Sequence, residues 1–147
     1  MAFSFSNSLS AGAAAFLLYS CATPQPAALG SASVETWQCR NQVEVWCSAD
    51  GCAAAEEDET TPMDISASTN GGLSVCAYTG CWESENASVT RARGRIMWAA
   101  DNAPFSSNSG FTTDLTLLID SNDGVGFVRA GGLASPLLCT RTSPSTE

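Results

Sequence analysis

The chain has 147 residues, enough for one small domain and a short appendage. Its 15 acidic and 6 basic residues give a net charge of −9, it contains no histidine, and every basic residue is an arginine. These features exclude Ser-His-Asp and Cys-His catalysis, lysine Schiff bases and histidine-ligated zinc, and they argue against nucleic-acid binding, which depends on cations at phosphates.

Residues 1–22 are predicted to form a signal peptide with a leader helix. Residues 11–18 are an apolar run broken only by Gly12, which is too short for a membrane span of about 20 residues but typical of a signal-peptide core. The small residues Ser20-Cys21-Ala22 resemble a cleavage site, and residues 18–21 also approximate the box at which bacterial lipoproteins are cut and acylated. Because residues 1–10 lack the usual positive charge, an ordinary flexible N-terminus is the alternative.

The predicted leader sets the localisation and the domain boundaries. We expect a periplasmic or secreted protein that touches a membrane only through its leader or through a lipid on Cys21. Residues 23–34 begin with Thr-Pro-Gln-Pro and are predicted to be a flexible linker. Residues 35–141 are predicted to be a β domain, and residues 142–147 a disordered tail.

The cysteines predict a disulfide framework. Without Cys21, an even set of six remains, as an exported domain requires. Two of its pairs have the spacing Cys-x4-Cys with glycine before the second cysteine, which favours tight-turn clasps. If Cys39 and Cys47 shared one straight strand, they would lie about 26 Å apart and would be unable to pair. The predicted bonds are Cys47–Cys52, Cys76–Cys81 and Cys39–Cys139. In a reducing compartment, the two Cys-x4-Cys units would instead suggest a metal site.

Apolar and polar residues alternate at period two through most of the remaining chain, which is typical of half-buried β-strands. Between Trp37 and Cys47, this alternation predicts one strand with Val43 on its apolar side and Glu44 on its polar side. Residues 53–64 interrupt the pattern with an acidic loop, for which a solvated loop is favoured over a site for a cation or a basic partner. The fold class predicted is all-β: a disulfide-stapled, small antiparallel barrel or sandwich of about seven short strands.

Two hairpins are predicted from the parity of their apolar residues. Residues that face each other across antiparallel strands share a face. On both sides of Asn70-Gly71-Gly72 the apolar residues are odd-numbered, which excludes a two-residue loop and favours a three-residue loop with Gly72 left-handed. The same parity around residues 121–124 predicts that Phe127 faces the core together with Ile119. The predicted core residues are Trp37, Leu73, Val75, Trp98, Leu117, Ile119 and Phe127.

Three aromatic residues are the candidate binding residues. Tyr78 and Trp82 lie beside the predicted Cys76–Cys81 clasp, and Trp46 lies on the polar side of its strand. Tyrosine and tryptophan are typical anchors of binding surfaces, although packing against a disulfide is the alternative explanation for the first two. No catalytic residue, metal ligand or cofactor is predicted.

Alternating arginines form a second candidate feature. Arg91, Arg93 and Arg95 are predicted to project from one side of a strand and its turn, because they alternate along the chain. They would suit a small anion or carboxylate, but an exposed strand edge guarded by charge is the favoured interpretation.

The predicted function is that of an exported, disulfide-stabilised β domain with a binding or structural role and no catalytic activity. Its partner would be a basic protein or another envelope component, because a negative surface speeds the capture of a positive partner. In outline, an exported, acidic, cysteine-tied β-barrel is similar to the periplasmic lysozyme inhibitors, with no motif shared residue by residue. Inhibition of a basic envelope-active enzyme such as lysozyme is therefore the alternative, followed by a hydrolase that uses Asp and Glu alone.

Overall fold

A computed structural model describes residues 33–56 and 58–142, apart from the side chain of Ser109. It contains eleven strands, all paired antiparallel. Their bounds are β1 Thr36–Asn41, β2 Val45–Ser48, β3 Gly51–Ala54, β4 Asp64–Ser68, β5 Leu73–Ala77, β6 Gly80–Ser84, β7 Ser88–Ala92, β8 Arg95–Phe105, β9 Asn108–Asp120, β10 Val125–Ala130 and β11 Leu133–Thr142. The all-β prediction is confirmed. The count of about seven strands is wrong, because the single strand predicted from Trp37 to Cys47 is divided into β1 and β2, and each clasped turn is followed by a further short strand, β3 or β6.

The predicted leader lies outside the described residues. The same is true of the linker up to residue 32 and of the tail after residue 142, so the structure lends the leader helix no support. Within the described ranges, no helix has the length and apolar character needed to cross a membrane.

Eight of the strands close into a barrel in the order β1-β4-β5-β6-β8-β9-β10-β11, because β11 also pairs with β1. The hairpin β2–β3 is attached to β11 outside this ring, and β7 pairs only with β8. Closure provides both neighbours for every strand of the ring and so removes the exposed edges of an open sheet. Of the two predicted architectures, barrel and sandwich, the structure shows the barrel.

Large apolar side chains fill the barrel. Trp98 and Leu117 are fully buried, and Trp98 Nε1 donates a hydrogen bond of 2.8 Å to the carbonyl oxygen of Ser68. The buried residues include six of the seven predicted core residues: Trp37, Leu73, Val75, Trp98, Leu117 and Ile119. At about 1.5–3 kcal/mol for each large apolar side chain, this interior is the main source of stability.

The seventh predicted core residue, Phe127, is on the outside. Ile119 pairs with Gly126 and Leu117 with Val128, so odd-numbered positions face even-numbered ones. Phe127 is 41% exposed, whereas Val128 is fully buried. Six residues lie between the paired Ile119 and Gly126, and this even number pairs odd-numbered positions with even-numbered ones, whereas the prediction assumed an odd number.

The reversed parity produces an apolar row on the outer face of the barrel. Met97, Leu118, Phe127 and Pro136 are successive cross-strand partners on β8, β9, β10 and β11. The side chains of Met97, Leu118 and Phe127 are all substantially exposed. Apolar residues at every second position of a strand thus do not by themselves show which face of the strand points into the barrel.

The β4–β5 hairpin has the predicted pairing and loop length. Ile65 pairs with Val75, and the backbone N–H of Ser68 donates to the carbonyl oxygen of Gly72, which leaves a loop of three residues. The left-handed glycine was assigned wrongly, because Gly71, at φ +105°, takes that role rather than Gly72.

A bend interrupts the single strand predicted from Trp37 to Cys47. β1 ends at Asn41 and β2 begins at Val45. The bend shifts the alternation by one residue, so Val43 is exposed and Glu44 is buried, the reverse of the prediction. The single-strand assumption used to exclude a Cys39–Cys47 bond was therefore incorrect.

The three disulfides are Cys39–Cys139, Cys47–Cys52 and Cys76–Cys81, the pairing predicted from the sequence. Each joins two residues that lie directly opposite each other on neighbouring antiparallel strands. The first spans 100 residues and ties β1 to β11, the pair of strands that closes the barrel.

The alternating arginines do not share one side. Arg91 lies opposite the buried Ile96, whereas Arg95 lies opposite Ala92, so these two arginines are on opposite faces of the β7–β8 ribbon. A two-residue turn of Arg93 and Gly94, both at positive φ, causes this arrangement. The side chains form separate ion pairs, Arg91 with Glu35 at 2.8 Å and Arg95 with Asp120 at 3.8 Å.

Candidate functional site

Two disulfide-clasped hairpins position the candidate binding residues. In β2–β3 the turn is Ala49-Asp50, and in β5–β6 it is Tyr78-Thr79. In both hairpins the bonded cysteines lie one pair of residues further from the turn. A two-residue turn with a disulfide at its base has little freedom, so the clasps fix the backbone that carries Trp46 and Tyr78.

The residues around these hairpins enclose an open pocket with a volume of about 250 Å³. The structure brings all three candidate binding residues, Trp46, Tyr78 and Trp82, into its lining. The full lining is Glu44, Trp46, Thr61, Met63, Ala77, Tyr78, Thr79, Trp82 and Leu133. We refer to this site as the two-clasp pocket.

The three aromatic residues differ in exposure. Tyr78 is 81% exposed at the tip of its turn, and Trp46 is 51% exposed. Trp82 is half-buried, and its ring packs on Phe105 with centroids 4.9 Å apart. The Trp82 Nε1 atom is buried and has no hydrogen-bond partner among the described residues. The pocket therefore combines two accessible rings with a third that is fixed by packing.

Among the described residues, Glu44 is the one acidic residue that lines the pocket, and its residue surface is only 6% exposed. Oε1 accepts a hydrogen bond of 2.5 Å from Trp46 Nε1, and Oε2 accepts one of 2.7 Å from the backbone N–H of Thr61. Both oxygens of Glu44 thus act as hydrogen-bond acceptors for N–H donors. In the part of the chain that the structure describes, Glu44 forms no ion pair with an arginine.

Asn41 holds the segment that crosses the pocket between β3 and β4. Its Nδ2 donates to the carbonyl oxygen of Thr61 at 3.0 Å, and its Oδ1 accepts from the backbone N–H of Met63 at 2.8 Å. Met63 and Asn41 are both buried. Together with the Glu44–Thr61 bond, these contacts anchor residues 61–63 at the end of the otherwise acidic loop.

Apart from Ala77 and Thr79, which adjoin Tyr78 in the chain, sequence reasoning missed four pocket residues: Glu44, Thr61, Met63 and Leu133. Glu44 stood at a polar position of an alternating strand, where a solvent-facing side chain is the usual expectation. The bend after Asn41 turns it inwards, and nothing in the local pattern marks that bend. Residues 61–63 follow an acidic run and lie far along the chain from β11, so their meeting with Leu133 depends on barrel closure.

No protein-family model matches the chain, and it has no significant similarity to a curated protein or to a solved structure. Its class is therefore defined by its own geometry. It is a disulfide-rich, closed antiparallel β-barrel domain with an aromatic pocket beside two clasped hairpins.

Proposed function

We propose that this protein is an exported, non-catalytic binding domain whose partner contacts the two-clasp pocket. One observation carries the proposal: three aromatic residues from two separate hairpins line a single open pocket. Partly exposed tryptophan and tyrosine in a concave site are typical of hot spots in protein interfaces. Rigid hairpins reduce the conformational entropy lost on binding, so such a site can be both small and effective.

Export is part of the proposal. Three disulfides are typical of proteins that function in oxidising compartments, because the cytosol keeps thiols reduced. The apolar run at residues 11–18 supports a leader that is removed or that leaves Cys21 with a lipid. The location proposed is the periplasm or the extracellular medium.

The chemistry of the pocket supports binding over hydrolysis. Hydrolysis by carboxyl groups alone uses two of them on either side of the bond that breaks. The two-clasp pocket has one, Glu44, and both of its oxygens already accept hydrogen bonds from Trp46 and Thr61.

The test compares the oxidised full chain with the double variant Trp46→Ala/Tyr78→Ala. Both are immobilised and exposed to the envelope and secreted fractions of the producing cell, and captured molecules are identified and rebound in purified form. We expect a partner that binds the unchanged chain and is lost by the double variant. Phe127→Ala is the matched control, because it removes an exposed aromatic ring from the outer face. A partner retained equally by all three proteins would contradict the assignment of the site.

A second candidate function, inhibition of a basic envelope-active enzyme such as lysozyme, is favoured by the net charge of −9. Opposite charge accelerates encounter, and the effect weakens as salt shortens the Debye length to about 8 Å at 0.15 M. We expect the full chain to reduce lysis of bacterial cells by lysozyme at low salt and to do so less at high salt. Undiminished lysis with a large excess of the chain at low salt would remove this candidate.

A further inference from the structure

The two-clasp pocket contains a buried carboxylate without a cationic partner. Burying a charge is costly unless it is paired. In the described part of the chain, the ion pairs are formed by Glu35, Asp64 and Asp120. Glu44 is more deeply buried than any of these acids, yet its hydrogen-bond donors are both neutral. A cation that entered the pocket would complete this site electrostatically.

The walls around Glu44 also suit a cation. The negative face of an aromatic ring attracts ammonium and guanidinium groups, and tryptophan is the strongest of the rings. Trp46 and Tyr78 are both accessible, and Trp46 donates its indole N–H directly to Glu44. This hydrogen bond places the carboxylate next to the indole ring, so a cation near one would be near the other.

The volume and the openness of the pocket indicate what kind of ligand would bring the cation into it. The volume of about 250 Å³ is below the range of roughly 300–1,000 Å³ for sites that enclose drug-sized ligands. Tyr78, at the tip of its turn, is largely exposed, so the site is open and suits a group that projects from a larger body. Met63, Ala77 and Leu133 supply apolar surface for an aliphatic stem.

We propose that the two-clasp pocket takes a lysine or arginine side chain of a partner protein, with its charged end beside Glu44 and the ring of Trp46. This inference rests on the proposed binding function and names the chemistry that the site recognises. An anionic group is disfavoured, because none of the described residues that line the pocket is an arginine. The excess of acidic residues in the chain would also draw basic partners towards the surface.

The experiment titrates the oxidised full chain with Nα-acetyl-lysine amide and Nα-acetyl-arginine amide, followed by tryptophan fluorescence and calorimetry. Nα-acetyl-norleucine amide is the matched neutral ligand, because it has a similar stem without the charge. We expect at least one of the two cationic ligands to bind at least about tenfold more tightly than the norleucine compound, a difference of about 1.4 kcal/mol. Equal binding of cationic and neutral ligands, or binding of a neutral oligosaccharide alone, would overturn the inference.

Substitutions of pocket residues test whether the cationic ligand binds in the two-clasp pocket. We expect Glu44→Gln and Tyr78→Leu each to weaken cation binding several-fold, and Tyr78→Phe, which keeps the ring, to retain it. Should Glu44→Gln fail to fold, Tyr78→Leu decides the outcome, because Tyr78 lies in an exposed turn. Unchanged cation affinity in Tyr78→Leu would contradict the site.

Two further outcomes separate this inference from the function on which it rests. Tighter binding of choline than of either amino-acid derivative would overturn the assignment to a protein side chain. A protein partner that depends on Trp46 and Tyr78, combined with no response to any small cation, would overturn the inference while leaving the proposed function intact. A protein partner whose binding does not depend on Trp46 and Tyr78 would instead overturn the proposed function.

Discussion

The disulfide Cys39–Cys139 is expected to stabilise the fold far more than either clasp. It closes a loop of 100 residues, whereas Cys47–Cys52 closes a loop of 5. In the chain-entropy model, these loops correspond to about 4.7 and about 2 kcal/mol of stabilisation, respectively. A domain of this size has a total stability of about 5–15 kcal/mol. We therefore expect Cys39→Ala/Cys139→Ala to lose about a third or more of its free energy of unfolding.

Urea unfolding of the two double alanine variants tests this difference, with the fluorescence of buried Trp37 and Trp98 as the signal. The free energy extrapolated to water is the quantity to compare, because a chain without the long tie exposes more surface when unfolded and has a steeper denaturant dependence. Alanine is preferable to serine at positions 39 and 139, since both cysteines are buried. A loss from the long tie no larger than the loss from Cys47→Ala/Cys52→Ala would refute the reasoning.

Two substitution pairs test the register and the turn after β9. We expect Leu117→Ala to lower the free energy of unfolding by about 2–5 kcal/mol, because its side chain is fully buried. In the same urea assay, Phe127→Ala should lower it by less than about 1 kcal/mol. Equal losses would place Phe127 in the core. We expect Gly124→Ala to destabilise by more than about 1 kcal/mol, because Gly124 has φ +74° and an added Cβ would overlap the carbonyl oxygen of Cys139. Gly110→Ala is the control, because Gly110 lies outside the left-handed region and an added Cβ would meet only Asn108 Oδ1, at 3.4 Å; it should change stability by no more than about 1 kcal/mol in either direction. Similar melting temperatures for both glycine variants would contradict the turn geometry.

Much of the fold follows from local features of the sequence. Period-two alternation predicted the strands, and the spacing of cysteines and glycines predicted the two clasps. Parity predicted the loop of the β4–β5 hairpin, because Ile65 and Val75 must share the buried face. These features depend on residues close together in the chain, where the geometry of a turn limits the possible pairings.

The errors arose where a single residue changed the register. The bend after Asn41 reversed the faces of Val43 and Glu44, and the pairing of Ile119 with Gly126 put Phe127 outside. A shift by one residue exchanges every side chain between the two faces of a strand, yet it leaves the apolar content unchanged. The sequence therefore indicated strands correctly and assigned some of their faces incorrectly.

Only the aromatic residues of the candidate site could be predicted from the sequence. Tyr78 and Trp82 stood out because they flank a clasped turn, and Trp46 because it occupies a polar position. Their meeting in one pocket depends on β2 pairing with β11 and on the closure of the ring by β1, which no local pattern specifies. The role of Glu44 could not be predicted, because a buried carboxylate and an exposed one look alike in an alternating strand.

The most direct test of the account is the response of individual indole groups to a cation. Four tryptophans give four indole N–H signals in a ¹H–¹⁵N spectrum, and the signal of Trp46 is assigned with the variant Trp46→Phe. On addition of Nα-acetyl-lysine amide, we expect the Trp46 signal to move, because its N–H is bound to Glu44. The signal of Trp98, sealed in the barrel and bound to Ser68, should stay in place. A stationary Trp46 signal at saturating ligand would contradict the central claim.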